Sequence, residues 1–245
     1  MMNHRVTTAV SMGVREFRRT PVLLALLAFL PAYIIGAFVL LVPDISVPVT
    51  LDGTTVTVPM TDFAAAFMTP VTAAILTGIV GLFLVQRSQS ADDRLGLAGY
   101  GATDLVVSRI GTLAIGAVVV TAASVLVAVL SFTPERVGAF AAATLLTAFT
   151  YGILGVVVGI LFDRLGGVYV MLFAPMVDIL MFQNPLATDS PDWTAVLPSR
   201  FATTALFDAA FTPGVEAWDF VGAVAYTLAL LAVGVVVFYR ATKVG

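Results

Sequence analysis

Six stretches of this chain are almost free of charge, and polar residues gather between them: 22–42, 63–85, 110–132, 137–162, 168–182 and 220–239. A helix needs about 20 apolar residues to cross a hydrocarbon core of about 30 Å, so each stretch predicts a transmembrane helix. The fifth is short, because 15 residues at the helical rise reach only roughly 22 Å. It must lean on the segment that follows it. The first stretch is longer than the apolar core of a signal peptide and lies behind 21 residues, so it is kept as a span. No linker, repeat or low-complexity tract divides the sequence. The pattern predicts an all-α integral membrane protein with six transmembrane helices in one domain over residues 1–245.

Composition supports the bilayer as solvent. Of 245 residues, 60% are hydrophobic and 11% charged, and the mean hydropathy is +1.04. There is too little charge to cover a soluble core. Cysteine is absent and His4 is the only histidine, which removes thiolate, iron–sulfur, haem-pair and zinc chemistry together. No metal site is expected. One lysine stands against eleven arginines, a halophile-like balance.

The cations orient the spans. With both termini in the cytoplasm, Arg5, Arg15, Arg18, Arg19, Arg87, Arg94, Arg109, Arg164, Arg240 and Lys243 lie inside and only Arg136 and Arg200 outside, as the positive-inside rule requires. The location implied is the cytoplasmic membrane of a prokaryote, crossed several times. Residues 43–62 and 183–219 then form outer loops, and residues 86–109 face the cytoplasm.

Catalytic machinery is missing from the pattern. A nucleotide-binding GxxxxGK[ST] loop needs a lysine, and Lys243 stands three residues from the end. Within the six spans Asp178 is the one ionisable acid and histidine is absent, so an intramembrane hydrolase is not predicted. Met171, Met176 and Met181 step by five residues and so turn by roughly 140° each on a helix, which reads as packing and not as soft-metal ligation. No catalytic residue and no cofactor is assigned to this chain.

The cytoplasmic segment has its own local logic. Ser90 can cap a helix whose first turn carries Asp93, and Gly99-Tyr100-Gly101 would end it before Thr103 caps the next helix. A short helix over 90–98 results, bearing Asp92, Asp93 and Arg94 beside Leu95, with Tyr100 just after it. A charged connector is an equal reading of the same residues. Ahead of the first span, Val6, Val10, Val14 and Phe17 recur at helical spacing opposite Arg15, Arg18 and Arg19, which predicts a basic amphipathic helix over 1–21 on the cytoplasmic surface.

In this layout the chain resembles the permease subunits of ATP-binding-cassette (ABC) transporters of the type-2 export class. The resemblance is carried by the lead helix ending in Arg15-Glu16-Phe17-Arg18-Arg19-Thr20-Pro21, a first span broken by Pro31, and the acid–arginine–glycine loop followed by Asp104 and Arg109. It also rests on residues 183–219 with Leu197-Pro198, in the place of that family's outer re-entrant helices. The family loop often has an early glutamate and a proline in its turn, where this chain has Asp92 and Asp93 and uses Gly99 to Ala102. The resemblance implies a dimer with a second permease copy, the same or related, and a separate ATPase that holds ATP and Mg. It further implies docking of that ATPase through Asp92, Asp93, Arg94, Leu95 and Tyr100 of a coupling helix, with Arg15, Glu16 and Arg18 nearby. The bilayer is the other partner, and nucleic acid is not.

Within the membrane, Gly155 and Gly159 place two small residues on one helix face, for packing inside the chain or for a dimer contact. Asp178 is read either as reaching the outer interface or as lining a substrate pathway. Pro31 and Pro175 should kink their spans. Two other functions remain open: a secondary transporter or channel, which would be expected to carry more midplane polar groups, and a non-transporting membrane anchor subunit.

Overall fold

Apolar residues on all sides of a helix mark it as central, and this is how the bundle is arranged. The computed structural model describes residues 21–51, 54–97, 102–186 and 192–243. The helices are α1 (Pro21–Leu41), α2 (Met60–Leu97), α3 (Ala102–Ser131), α4 (Val137–Leu161), α5 (Arg164–Pro175), α6 (Arg200–Phe211) and α7 (Ala217–Lys243). A hairpin of β1 (Ser46–Leu51) and β2 (Thr54–Pro59), a π-helical stretch Met176–Phe182 and a 3-10 turn Asp192–Val196 complete the described elements. Five helical stretches are long and apolar enough to cross a membrane: Met60–Gln86, Val106–Ser131, Val137–Leu161, Arg164–Phe182 and Ala217–Val237. α1 is a 21-residue helix containing Pro31. This is a helical membrane-embedded protein.

The Met60–Gln86 stretch of α2 is the centre, its most apolar window 83% buried, whereas that of α7 is only 17% buried. α1, α3, α4 and α5 all pack against α2, and α7 packs on the far side of α4 and on α6. The exposed large residues of the outer helices are apolar, Val118, Leu126 and Leu130 on α3 and Val221, Leu228 and Val236 on α7. In water such faces would be aggregation surfaces, and in lipid they are the expected exterior.

The two ends of the bundle differ. At one end the backbone N–H groups of Glu135 and Arg136 donate to the carbonyls of Ala210 and Ala209 at 3.2 and 2.9 Å, tying the α3–α4 turn to the end of α6. β1 also packs on α6, and Phe63 stacks on Phe207 with ring centroids 6.0 Å apart. At the other end Gln86 Nε2 donates to the Phe162 carbonyl at 3.2 Å, and the Arg164 guanidinium lies over the Phe83 ring at 5.1 Å. The first end gathers the segments read as outer loops.

Three local expectations change. Residues 43–62 hold a hairpin, in which Leu51 pairs with Thr54 across Asp52-Gly53. An Asp-Gly pair between alternating valines and threonines is a strong hairpin signal. Val49 and Val58 turn inward and are buried. The fold is therefore helical with one added hairpin.

The fifth span is longer than 168–182. It begins at Arg164, where the Asp163 side chain caps the helix by accepting from the Gly166 amide at 3.1 Å. Gly166-Gly167 and Arg164 hide this start from an apolar window. Beyond Pro175 the turns widen to π geometry, closed by the Gln183 amide donating to the Asp178 carbonyl at 3.0 Å, five residues back. Proline lacks a donor and its ring crowds the carbonyl four residues earlier, so a widened turn follows naturally.

Ser90 does not start a helix. α2 continues from Met60 through Leu97 without interruption, because an amide inside a running helix already has its partner four residues back and needs no cap. The amphipathic helix expected over 1–21 lies, up to residue 20, outside the described residues, with Arg15, Glu16 and Arg18. Tyr100 does too.

Candidate functional site

A buried carboxylate must find donors, and Asp178 has three. It is 4% exposed and lies in the π-helical stretch that Pro175 opens. The Tyr151 hydroxyl of α4 donates to Asp178 Oδ2 at 2.5 Å. The backbone N–H of Ser199 donates to the same oxygen at 3.0 Å, and Gln183 Nε2 approaches Oδ1 at 3.5 Å. Gln183 extends the network, donating to the Thr194 carbonyl at 3.2 Å and accepting from Arg200 Nη1 at 3.4 Å. Tyr226 of α7 donates to the Val196 carbonyl at 3.1 Å.

The Ser199 bond has a structural meaning. Ser199 precedes α6, and its own side chain makes no capping bond to that helix. Asp178 supplies an acceptor from another element to the start of α6, whose first amides have no partner within the helix. One carboxylate therefore joins α4, the π-helical stretch and the start of α6. Asp178 reaches protein groups here. Sequence reading singled out Asp178 but not Tyr151, Gln183, Ser199 or Arg200. The usable signal was the rule that an intramembrane acid needs a partner, together with the polar run after Phe182.

The arrangement positions: one side chain holds α4, the π-helical stretch and the start of α6 together. Among the described residues no three His, Asp or Glu side chains stand together to hold a metal ion.

Gly155 and Gly159 face α2 inside the same chain. A methyl group built on Gly155 would collide with the carbonyl oxygen of Gly78, and one on Gly159 would stand 2.8 Å from the Leu82 carbonyl oxygen. Gly81 meets the Gly152 carbonyl in the same way. Gly155, Gly159 and Gly81 thus let two backbones touch, a seam that the spacing on α4 announced and whose other half, Gly81 on α2, was not singled out.

Asp92, Asp93, Arg94 and Leu95 fall within the last turns of α2. No protein-family model matches the chain, and no curated protein is similar to it in sequence. The class defined is that of multi-spanning helical membrane proteins.

Proposed function

We propose that this chain is the membrane-spanning permease subunit of an ABC transporter, exporting an unidentified substrate with ATP hydrolysed by a separate subunit. The observation that carries the reading is the polar extension of α2. Its apolar stretch ends at Gln86, yet the helix runs on to Leu97, about 16 Å further at the rise of an α-helix. α3 then starts at Ala102 after only four residues. A helical hairpin bearing acids, an arginine and leucines is a rigid lever for a partner's groove, where a free loop would transmit little force. The opposite end, with its hairpin and the short buried helix α6, suits an outer gate between the fifth and sixth crossings.

In this reading both termini are cytoplasmic, α1 is the first of six crossings, and a second permease copy completes the pathway. Arg15, Glu16 and Arg18, which lie outside the described residues, belong to the docking surface in this reading. ATP and Mg belong to the partner.

A secondary transporter or channel is the second reading, favoured by the buried Asp178 network, since intramembrane carboxylates often sit on ion pathways. Purification of the tagged chain from its native membranes separates the two. An ATPase subunit that elutes with it, and whose hydrolysis rate changes when the permease is reconstituted, is the expected result. Transport by the chain alone in ATP-free liposomes would favour the second reading and defeat the first.

A further inference from the structure

The hairpin of β1 and β2 has one obstructed edge and one open edge. Its register sets Leu51 opposite Thr54 across Asp52-Gly53. A turn that short makes the flanking pair a hydrogen-bonded one, and bonded and non-bonded pairs alternate from there. Thr50 with Thr55, Pro48 with Thr57 and Ser46 with Pro59 are therefore the pairs whose backbone groups point away from the other strand. On β1 this outward row is broken in its middle by Pro48, which has no N–H, and β1 packs on α6. On β2 it holds Thr55 and Thr57 in succession, both exposed. Among the described residues no backbone bond from outside the hairpin reaches either of them. We propose that β2 pairs with β2 of a second copy of this chain, joining the two hairpins into one continuous sheet.

The open edge is its own complement. Two antiparallel β2 strands related by a twofold axis at Val56 set Thr55 against Thr57 of the partner subunit and Thr57 against Thr55 of the partner subunit. Each outward N–H of these threonines then meets an outward C=O. The side chains match as well: Val56 meets Val56 of the partner subunit, and threonine meets threonine on the exposed face, a pairing favoured across strands. A slip by two residues would bring Pro59 into the ladder and lose bonds. An unrelated extended peptide would take the same backbone bonds without this symmetric match of valine and threonine. The pairing needs a second copy in the same membrane, as the permease reading does, but neither an ATPase nor transport. A permease dimer held by its spans alone has no need of the sheet, so failure here leaves that reading intact.

Cysteine crosslinking of the full chain in its membranes tests the pairing, since the chain has no native cysteine. Facing residues at a non-hydrogen-bonded site stand about 4.5 Å apart at Cα, within reach of a disulfide. Val56→Cys should give a covalent dimer under mild oxidation, and Thr50→Cys, exposed on the far strand, should give roughly tenfold less because its partner would lie beyond disulfide reach. Thr57→Pro added to Val56→Cys removes an outward N–H and none of the hairpin's own bonds, and Pro48 directly opposite already occupies an equivalent position. Both copies lose that bond at once, so crosslinking should fall about tenfold. Thr50→Pro, the same change on β1, should leave it unaltered. If Thr57→Pro disturbs the hairpin, the contrast between Val56→Cys and Thr50→Cys decides alone. Equal yields at those two positions would mean random collision and overturn the proposal, as would undiminished crosslinking in Thr57→Pro with the hairpin intact. A dimer on blue native gels whose Val56→Cys stays unlinked would place the contact in the spans and overturn the sheet alone. A Val56→Cys adduct with a different protein would give the edge another partner and overturn it too.

Discussion

The Tyr151 hydroxyl and the Asp178 carboxylate, 27 residues apart in sequence, share a hydrogen bond of 2.5 Å inside the bundle. Through Oδ2 the same carboxylate also holds the Ser199 amide, so two helices and a π-helical stretch meet at one oxygen. Asp178→Ala should leave two buried donors unpaired and destabilise the protein by about 3 kcal/mol, whereas Tyr151→Phe should cost about 1.5 to 3 kcal/mol. Asp178→Asn should be milder than alanine, because its amide oxygen in the place of Oδ2 can still accept from both Tyr151 and Ser199. Thermal melts in detergent and a double-mutant cycle measure this. Additive effects of Tyr151→Phe and Asp178→Ala would mean that the bond contributes nothing.

The same latch predicts a local opening. Ala205 of α6 is fully buried, and the chain has no native cysteine. An Ala205→Cys probe should be unreactive toward a soluble maleimide in the parent and become reactive when Asp178→Ala is added. Persistent protection would show that α6 is held by its apolar face alone.

The glycine seam gives a packing prediction. Gly155→Ala should cost about 1 to 3 kcal/mol, since its methyl group meets backbone that cannot rotate away, and Gly155→Leu should prevent assembly of the bundle. Gly138→Ala, with nothing within 4 Å of the new methyl group, is the neutral control. Because the contact lies within one chain, Gly155→Ala should lower the melting temperature without altering the oligomeric state. A shift in oligomeric state with normal stability would move the seam to an interface.

Topology is accessible to single-cysteine labelling. Thr55 on β2 is exposed and belongs to the end that holds the α3–α4 turn and α6. Thr55→Cys should react with an impermeant maleimide in intact cells, and Gly101→Cys only after permeabilisation. External labelling at Gly101 would reverse the orientation and with it the docking proposal.

Docking itself predicts a separable loss. Leu95→Ala with Asp92→Arg and Asp93→Arg should leave a chain that inserts but no longer retains an ATPase, since truncating an anchor in a closed groove costs 2 kcal/mol or more, roughly thirtyfold in affinity. Asp189→Arg with Asp192→Arg, in the segment read from the sequence as an outer loop, should leave retention intact. ATPase capture by the first variant as tight as by the parent would reduce the hairpin to a connector.

Hydrophobic run length and the placement of arginines determined by themselves that this is a helical membrane protein, because lipid admits few other structures and charge has few places to go. The positions of Asp178 and of the Gly155–Gly159 pair were likewise legible, since an acid or a close pair of glycines in an apolar span is costly unless used. The Asp-Gly hairpin signal was present in the sequence too, and outweighed only by the expectation that residues 43–62 merely connect two spans.

Tertiary structure alone decided the partners. Nothing in the spacing of Tyr151, Gln183 or Ser199 ties them to Asp178; they meet because Pro175 widens the turns after it and the segment beyond Phe182 folds back onto α4. The α2 half of the glycine seam is invisible until two helices are set at a register. Ser90 was misread as a cap because capping residues are defined by what precedes them, and here a helix already ran through. Local signals mark where a backbone could start, stop or approach another, while packing of the whole bundle selects which of those options is used.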